Sequence, residues 1–471
     1  MTDEGQSGSD RQRRSSTADR RPSASPSSDR LPPAPNGLPL IGNAVAFARD
    51  PLTFTTDAVE NVGDVFRIDL PVGDRYVVAH PAYANRVLVS ERDAFEKTDD
   101  FVLAFGDSVV AVDGEQWREQ REFLNPFFFG PQIRSFLPTM REQTVARADS
   151  WDDGERIETL SEMQALTFDV LATTVLDFDP ETNRADLRAA ADDLNAYFDP
   201  LTWALPNWIP TPSRRRFDEA KATLRTELRA LLADAESGED SGDSLVSALA
   251  TVIRSPPNGD SAGDASDGYA PDAAGAIDQL IGLVFAGHET TALALTYTLH
   301  CLATHPEVYQ RVEAEVDEVV GDDPIEWEHL DDLTMLERVI DESLRLYPPV
   351  HALPREAVRA VDFDGDVIPA GSELLVSVFA LHRDPRFWEN PATFDPPRWH
   401  ERERSDDAYL PFGAGPRRCI GETFARVEAR VVLAELLRRF RFERVGDEEL
   451  SLSPEMTNQP EGEVPMRVRR R

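Results

Sequence analysis

The stretch between Pro271 and Pro306 constrains this chain more than any other part of it. Its apolar residues include Ile277, Leu280, Ile281, Val284, Phe285, Leu295, Leu299 and Leu302. At helical spacing they point nearly all the way round, and a helix that is apolar on every side is buried in a core. The helix is predicted to start after Pro271 and run to His305, where Pro306 stops it. At about 1.5 Å per residue it crosses the molecule from side to side. It is not a membrane span. Its most apolar run, 280–287, is eight residues and is followed by His288 and Glu289, whereas a span needs about 20 mostly apolar residues.

Around this rod the chain changes character several times. Residues 1–30 are rich in Ser, Arg, Asp and Gly, hold almost nothing apolar, and are predicted to be disordered. Order is expected from residue 31, where the prolines of 31–43 make a stiff strap that Leu40 and Ile41 can anchor. Residues 65–70 and 76–80, joined by 71–74, read as a β-hairpin. From about Trp117 onward helical periodicity dominates. Residues 255–269, rich in Gly, Asp, Ser and Pro, are expected to form a mobile acidic loop between two helices. The 471 residues would suit two or three ordinary domains, though a single large helical domain can reach that length.

Charge excludes several function classes. The chain holds 86 acidic and 49 basic residues, a net charge of -37, and Lys occurs only at Lys97 and Lys221. Such a chain repels nucleic acid and anionic membrane surfaces. The acid excess with little Lys is similar to proteins of salt-adapted microbes such as halophilic archaea, where salt screens the self-repulsion. Two cysteines, Cys301 and Cys419, exclude a disulfide framework and any zinc site of three or four thiolates. The arginine pairs at 13–14 and 20–21 lack the apolar segment of an export signal, so a cytoplasmic protein with no transmembrane anchor is expected.

The chemistry concentrates in residues 412–421, FGAGPRRCIG. Gly413 and Gly415 permit close backbone approach to a flat ligand. Cys419 stands just before an amphipathic helix marked by Ile420, Phe424, Val427 and Val431. The positive end of such a helix favours a thiolate. This segment resembles the haem-thiolate signature of the cytochrome P450 family at Phe412, Gly415, Arg417, Cys419 and Gly421. The resemblance implies haem b as cofactor and Cys419 as its iron ligand, a thiolate that favours O–O cleavage. It also implies Arg417 pairing with a haem propionate and Phe412 shielding the sulfur.

Other motifs join this one. AGHETT, residues 286–291, resembles the family's oxygen-activation motif. Ala286 and Gly287 would let the haem face come close. Glu289 and Thr290 would supply an acid and an alcohol where dioxygen gains protons. Alone, a mid-helix Thr often only bonds back to a carbonyl. Glu342 and Arg345 face each other at i, i+3, and the resemblance pairs them with Arg398 in a buried structural network. Trp117 and Arg121, four apart on one helical face, and Arg355 match family positions that grip haem propionates. His382 reads as a hydrogen-bonded structural residue and Cys301 as a core thiol.

From residue 31 to the end, the resemblance implies a mainly α fold with a small β region in a single large catalytic domain. It implies a monooxygenase that inserts one atom of O2 into an apolar small-molecule substrate. A fatty acid, an isoprenoid and a pigment precursor all fit. Substrate contacts would come from 101–110, 196–208, Phe285, Ala286, 350–353 and a turn near Thr457. With 52 residues after Cys419, no fused reductase is expected, and electrons would come from a ferredoxin-type donor. Residues 411–440 hold six Arg against three Glu, and Arg418, Arg426 and Arg430 could face that donor. The rival readings are a peroxide-driven or isomerising haem-thiolate enzyme, which needs no Glu289–Thr290 relay, and a haem sensor that turns nothing over.

Overall fold

The Asp272 carboxylate opens the central helix by accepting the Gly275 N–H at 2.8 Å, satisfying one of the donors a helix start leaves unpaired. In the computed structural model the helix runs Ala273–Thr304, and Pro306 begins the next helix, Pro306–Val319. The structure describes residues 30–471 apart from 72, 178–184, 196–208, 238–243, 255–268, 401–406 and 448. The expected tail (all but Arg30), the acidic loop (all but Tyr269) and the 196–208 substrate region therefore lie outside the described residues.

The central helix is buried on all sides, as its sequence requires. It packs most extensively on Thr159–Thr174. It also meets Pro212–Ser237 and Thr334–Leu346, together with Glu422–Arg439, the helix that follows Cys419. Ile277, Leu280, Ile281, Val284, Leu295, Leu299 and Leu302 all belong to one continuous core with residues of those helices.

The β region is small and lies to one side. Its main sheet has five strands in the order Val65–Ile68, Arg75–Val78, Glu373–Ser377, Ala352–Ala357 and Phe95–Glu96. The first two form the expected antiparallel hairpin, with Val65 opposite Val78. Arg75–Val78 runs parallel to Glu373–Ser377, which pairs antiparallel with Ala352–Ala357 and sets Arg355 opposite Leu374. The mainly helical architecture with a minor β region is the one the sequence implied.

The strap is held differently from expectation. Leu40 is 99% exposed and Ile41 is exposed too, so neither anchors it. The anchor is Asn43, whose backbone N–H donates to Asp69 O at 2.7 Å and whose side-chain oxygen accepts the Asp69 N–H at 3.0 Å. A buried amide that closes a backbone ladder fixes the chain as firmly as an apolar plug. Among the described residues, no helix is long and apolar enough to cross a membrane.

Candidate active site around Cys419

The Cys loop gets its shape from its glycines and from a histidine. Gly413 and Gly415 both sit at φ +70°, where other residues are strained. At Gly415 a Cβ would come within 2.4 Å of Leu88 O, so the close approach it permits is to the protein's own backbone. Gly413 meets only Leu353 Cδ1, at 3.7 Å. The Cys419 N–H donates to Phe412 O at 2.9 Å, folding the loop back on itself. At its entrance the Leu410 N–H donates to His382 Nε2 at 2.9 Å. The ring proton is therefore on Nδ1, facing Arg345 O at 3.2 Å. Burial pushes His382 down to about 3, so it stays neutral and keeps this arrangement.

Behind the loop, Glu342 is fully buried among donors. Arg345 reaches it through Nε at 3.0 Å and Nη2 at 2.8 Å, Arg398 through Nε at 2.9 Å, Trp399 through Nε1 at 3.0 Å, and the Asp395 N–H at 2.9 Å. The expected network of Glu342, Arg345 and Arg398 is present, with Trp399 as a member that the motif did not include. Cys301 lies beside this network, 2% exposed, and burial pushes its thiol up.

The Cys419 side chain is exposed, yet the surrounding protein strips enough water from it that burial raises its thiol pKa. The Gly421 N–H, Arg121 and Arg418 pull the other way. The favourable helix start is thus real, since Glu422–Arg439 begins three residues on, but burial outweighs it. A cation at the sulfur would reverse the balance, because a coordinated thiol is deprotonated.

To one side lies a group of cations with too few anions. Arg355 is 6% exposed, and its Nη1 donates to Pro354 O at 2.7 Å. Burial and then Arg417 lower it to about 10. Arg417 donates to Val112 O at 2.5 Å, pairs with Asp113 and lies 4.9 Å over the Trp117 ring. Lys97 belongs to the same group: burial first, then Arg355 and Arg417, hold it well below the usual lysine range. Among the described residues, Asp113 is the one carboxylate that raises all three. Such a corner fits a ligand bearing carboxylates. Trp117 and Arg121 share the helix Gly114–Leu124, but Arg121 Nη1 donates to Arg418 O at 2.9 Å and so grips the Cys loop.

Sequence reasoning missed Lys97 as a site residue. The signal was present: in a chain that is almost free of lysine, one of its two lysines stands here.

On the central helix, Glu289 is 1% exposed and accepts from Gln164 Nε2 at 3.1 Å and from Gln459 Nε2. Thr290 Oγ1 donates back to Ala286 O at 2.8 Å. Gly287 answers a packing need, because a Cβ there would meet Leu171 Cδ1 at 3.2 Å. Phe285 packs on Phe105 at 4.9 Å, and Phe105 on Phe101 at 6.0 Å, which gives the 101–110 segment an aromatic inner face. Thr457 is buried and accepts from Asn195 Nδ2 at 3.0 Å.

One expectation fails. Arg426 and Arg430 do not face out. Arg426 pairs with buried Asp341 at 2.7 Å and lies 5.0 Å over the Phe412 ring. Arg430 donates to Leu330 O at 3.1 Å. Arg418 alone of the three is well exposed, and it pairs with Glu422. The local positive charge of 411–440 mostly braces the interior.

A family model described as Cytochrome P450 matches residues 32–466. The chain is 33% identical over 421 residues to cyclooctat-9-en-7-ol 5-monooxygenase of Streptomyces melanosporofaciens, covering 87% of this chain and 88% of that protein. It is 30% identical to pentalenene oxygenase of Streptomyces avermitilis, covering 86% and 89%. Its fold is similar to that of a retinoic acid bound cyanobacterial CYP120A1, with TM-score 0.81 and 23% identity over 94% of this chain and all of that one. With the Cys loop, its buried network and these matches in hand, the chain belongs to the cytochrome P450 family: it is a haem b monooxygenase.

Proposed function

We propose that Cys419 is the protein ligand of the haem iron, and that the enzyme hydroxylates a hydrocarbon skeleton bearing few polar groups. The balance is one substrate C–H, one O2, two electrons and two protons in, and one alcohol and one water out. The observation that carries the reading is the exposed Cys419 sulfur on the loop whose Arg417 clusters with Lys97 and Arg355 around one carboxylate, Asp113. When bound, haem supplies the oxygen-activating chemistry.

The chain's own residues do the rest. Arg355, Arg417 and Lys97 would take the haem carboxylates, with Trp117 under Arg417 and Arg121 holding the Cys loop beneath. Phe412 and Gly421 would close around the sulfur. Gly421 supplies an N–H that favours its thiolate. Ala286 would face the ligand's other side, and its carbonyl already holds the Thr290 hydroxyl. That hydroxyl keeps its lone pairs free to accept a proton from the Glu289 side and can turn to donate its own. Two amides keep the Glu289 carboxylate in place, where it would take up a proton from outside and pass it on.

Phe101, Phe105, Phe285 and Leu353 favour an apolar substrate. Relatives named for cyclooctat-9-en-7-ol and pentalenene support a cyclic, isoprenoid-like skeleton over a straight chain. Electrons would come from a separate ferredoxin-type donor approaching on the Cys419 side, where Arg418 is the exposed contact.

In the reduced carbon-monoxide complex, Cys419→Ala should lose the thiolate-type absorption band. Survival of that band overturns the ligand assignment. With a ferredoxin, reductant and O2, product should form in step with reductant use. Turnover on peroxide alone would favour the peroxide-driven reading.

A further inference from the structure

Asp113 stands at the N-cap of the helix Gly114–Leu124, the position where Asp usually accepts from the helix's first N–H groups. Here its side chain makes no such bond. One oxygen instead accepts the Lys97 N–H at 2.7 Å, and the other accepts Arg417 Nη2. One carboxyl group thus ties three segments together: the lead-in to the helix Asp99–Phe105, the helix that carries Trp117, and the Cys loop. Giving up a cap is unfavourable, so the arrangement needs another reason.

That reason lies in what surrounds it. Lys97, Arg355 and Arg417 converge with Asp113 as their common counter-charge among the described residues. A carboxylate within a group of half-buried cations both fixes their directions and cancels part of their charge.

We propose that Asp113 is a positioning residue for the haem's carboxylate edge: it holds Arg417 and the Lys97 backbone in register and limits the positive charge that this corner presents to the haem. The proposal rests on the reading that these cations face the haem carboxylates. Reduction adds an electron to the haem, so extra positive charge nearby favours the reduced form. Asp113 therefore keeps the midpoint potential lower than the cations alone would set it.

The test uses the haem-loaded full chain and two readouts besides turnover, the midpoint potential and the rate of haem transfer to an excess of apomyoglobin. Asp113→Asn removes the charge and keeps an acceptor oxygen. Its potential should shift positive with the thiolate-type carbon-monoxide band intact. Asp113→Ala also removes the anchor, and haem should leave roughly tenfold faster or more. Asp113→Glu keeps the charge and should keep the potential. Arg355→Gln and Arg417→Gln serve as separate controls. If neither speeds haem loss, the reading of the cations falls. If both do, yet the Asp113 variants lower the melting temperature alone and leave potential and haem transfer unmoved, Asp113 is merely structural and the proposal is overturned.

Discussion

The two sides of the site are built from different interactions. On the Cys419 side, buried charges hold the backbone: Glu342 among Arg345, Arg398 and Trp399, and Asp341 between Arg426 and Tyr409. On the opposite side, the helix Asp99–Phe105 rests on aromatic contacts and a few polar links. Its Leu103 carbonyl accepts from Lys221 Nζ at 2.7 Å, and just beyond it the Asp107 N–H donates to Asp278 at 3.3 Å. The helix Ala185–Asp193 is joined to the central helix through Asp192 and His288 at 2.9 Å. Buried hydrogen-bonded charges allow one geometry and penalise all others, whereas apolar contacts can repack around ligands of different shape. A loop that must present one sulfur at one place suits the first kind of construction. A wall that must admit an apolar molecule suits the second.

The largest expected effect breaks this comparison directly. Glu342→Gln leaves Arg345 and Arg398 buried without their shared anion and should cost about 3–5 kcal/mol. Lys221→Ala removes one charged hydrogen bond at a half-exposed site and should cost roughly 1 kcal/mol. Denaturant unfolding of the haem-loaded protein, followed by the thiolate-type band and by circular dichroism, gives both values. Equal costs would mean the two sides do not differ as described.

Next in size is a pH effect confined to the Cys419 side. His382 titrates near 3 in the fold against a usual 6.5. Between those values the unfolded chain binds a proton that the folded chain refuses, so stability rises with pH across the window and falls as acid is added. Near pH 5 this one residue should cost about 2 kcal/mol relative to neutral pH. His382→Gln cannot take up that proton. Its stability should start lower, for want of the Leu410 and Arg345 contacts, and then decline less steeply with acid. Parallel curves would mean His382 is not the titrating group.

Smaller still is the stability effect of Thr290→Ala, which loses only a bond back to its own helix and should stay within about 1 kcal/mol of the parent. Its consequence should be chemical. Haem is retained, while reductant is diverted to peroxide. Unchanged coupling of reductant to product would remove Thr290 from proton delivery.

What the sequence made legible follows the same division. The Cys loop, the Glu342–Arg345 pair and the central helix are short-range patterns: a motif, an i, i+3 pair, a periodicity. Each could be read where it stands, whereas Arg398, 56 residues on from Glu342, is joined to the pair only by the family resemblance. The partners of Glu289 could not, because Gln164 and Gln459 lie 125 and 170 residues away and carry no local mark. Asp113 likewise carries no local mark of the bonds it makes to Lys97 and Arg417. Arg426 and Arg430 read as facing the electron donor, because charge counts do not show which way a helix turns its arginines. Leu40 and Ile41 read as anchors because they are apolar, while the anchoring itself is done by an asparagine side chain and backbone.

The smallest expected effect is a difference that should not change. The chain's net charge of -37 repels itself, and salt shortens that repulsion to about 3 Å at 1 M. Stability of the parent should therefore rise from low salt toward molar concentrations. Glu342 is fully buried and its partners are nearly so, out of reach of mobile ions. The deficit of Glu342→Gln should then stay constant, within about 0.5 kcal/mol, while both curves climb. If the deficit shrinks as salt is added, ions reach the network, and the Cys419 side is more open than its burial implies. If neither curve climbs, the acidic surface is not under strain, and the low lysine content needs a reason other than salt.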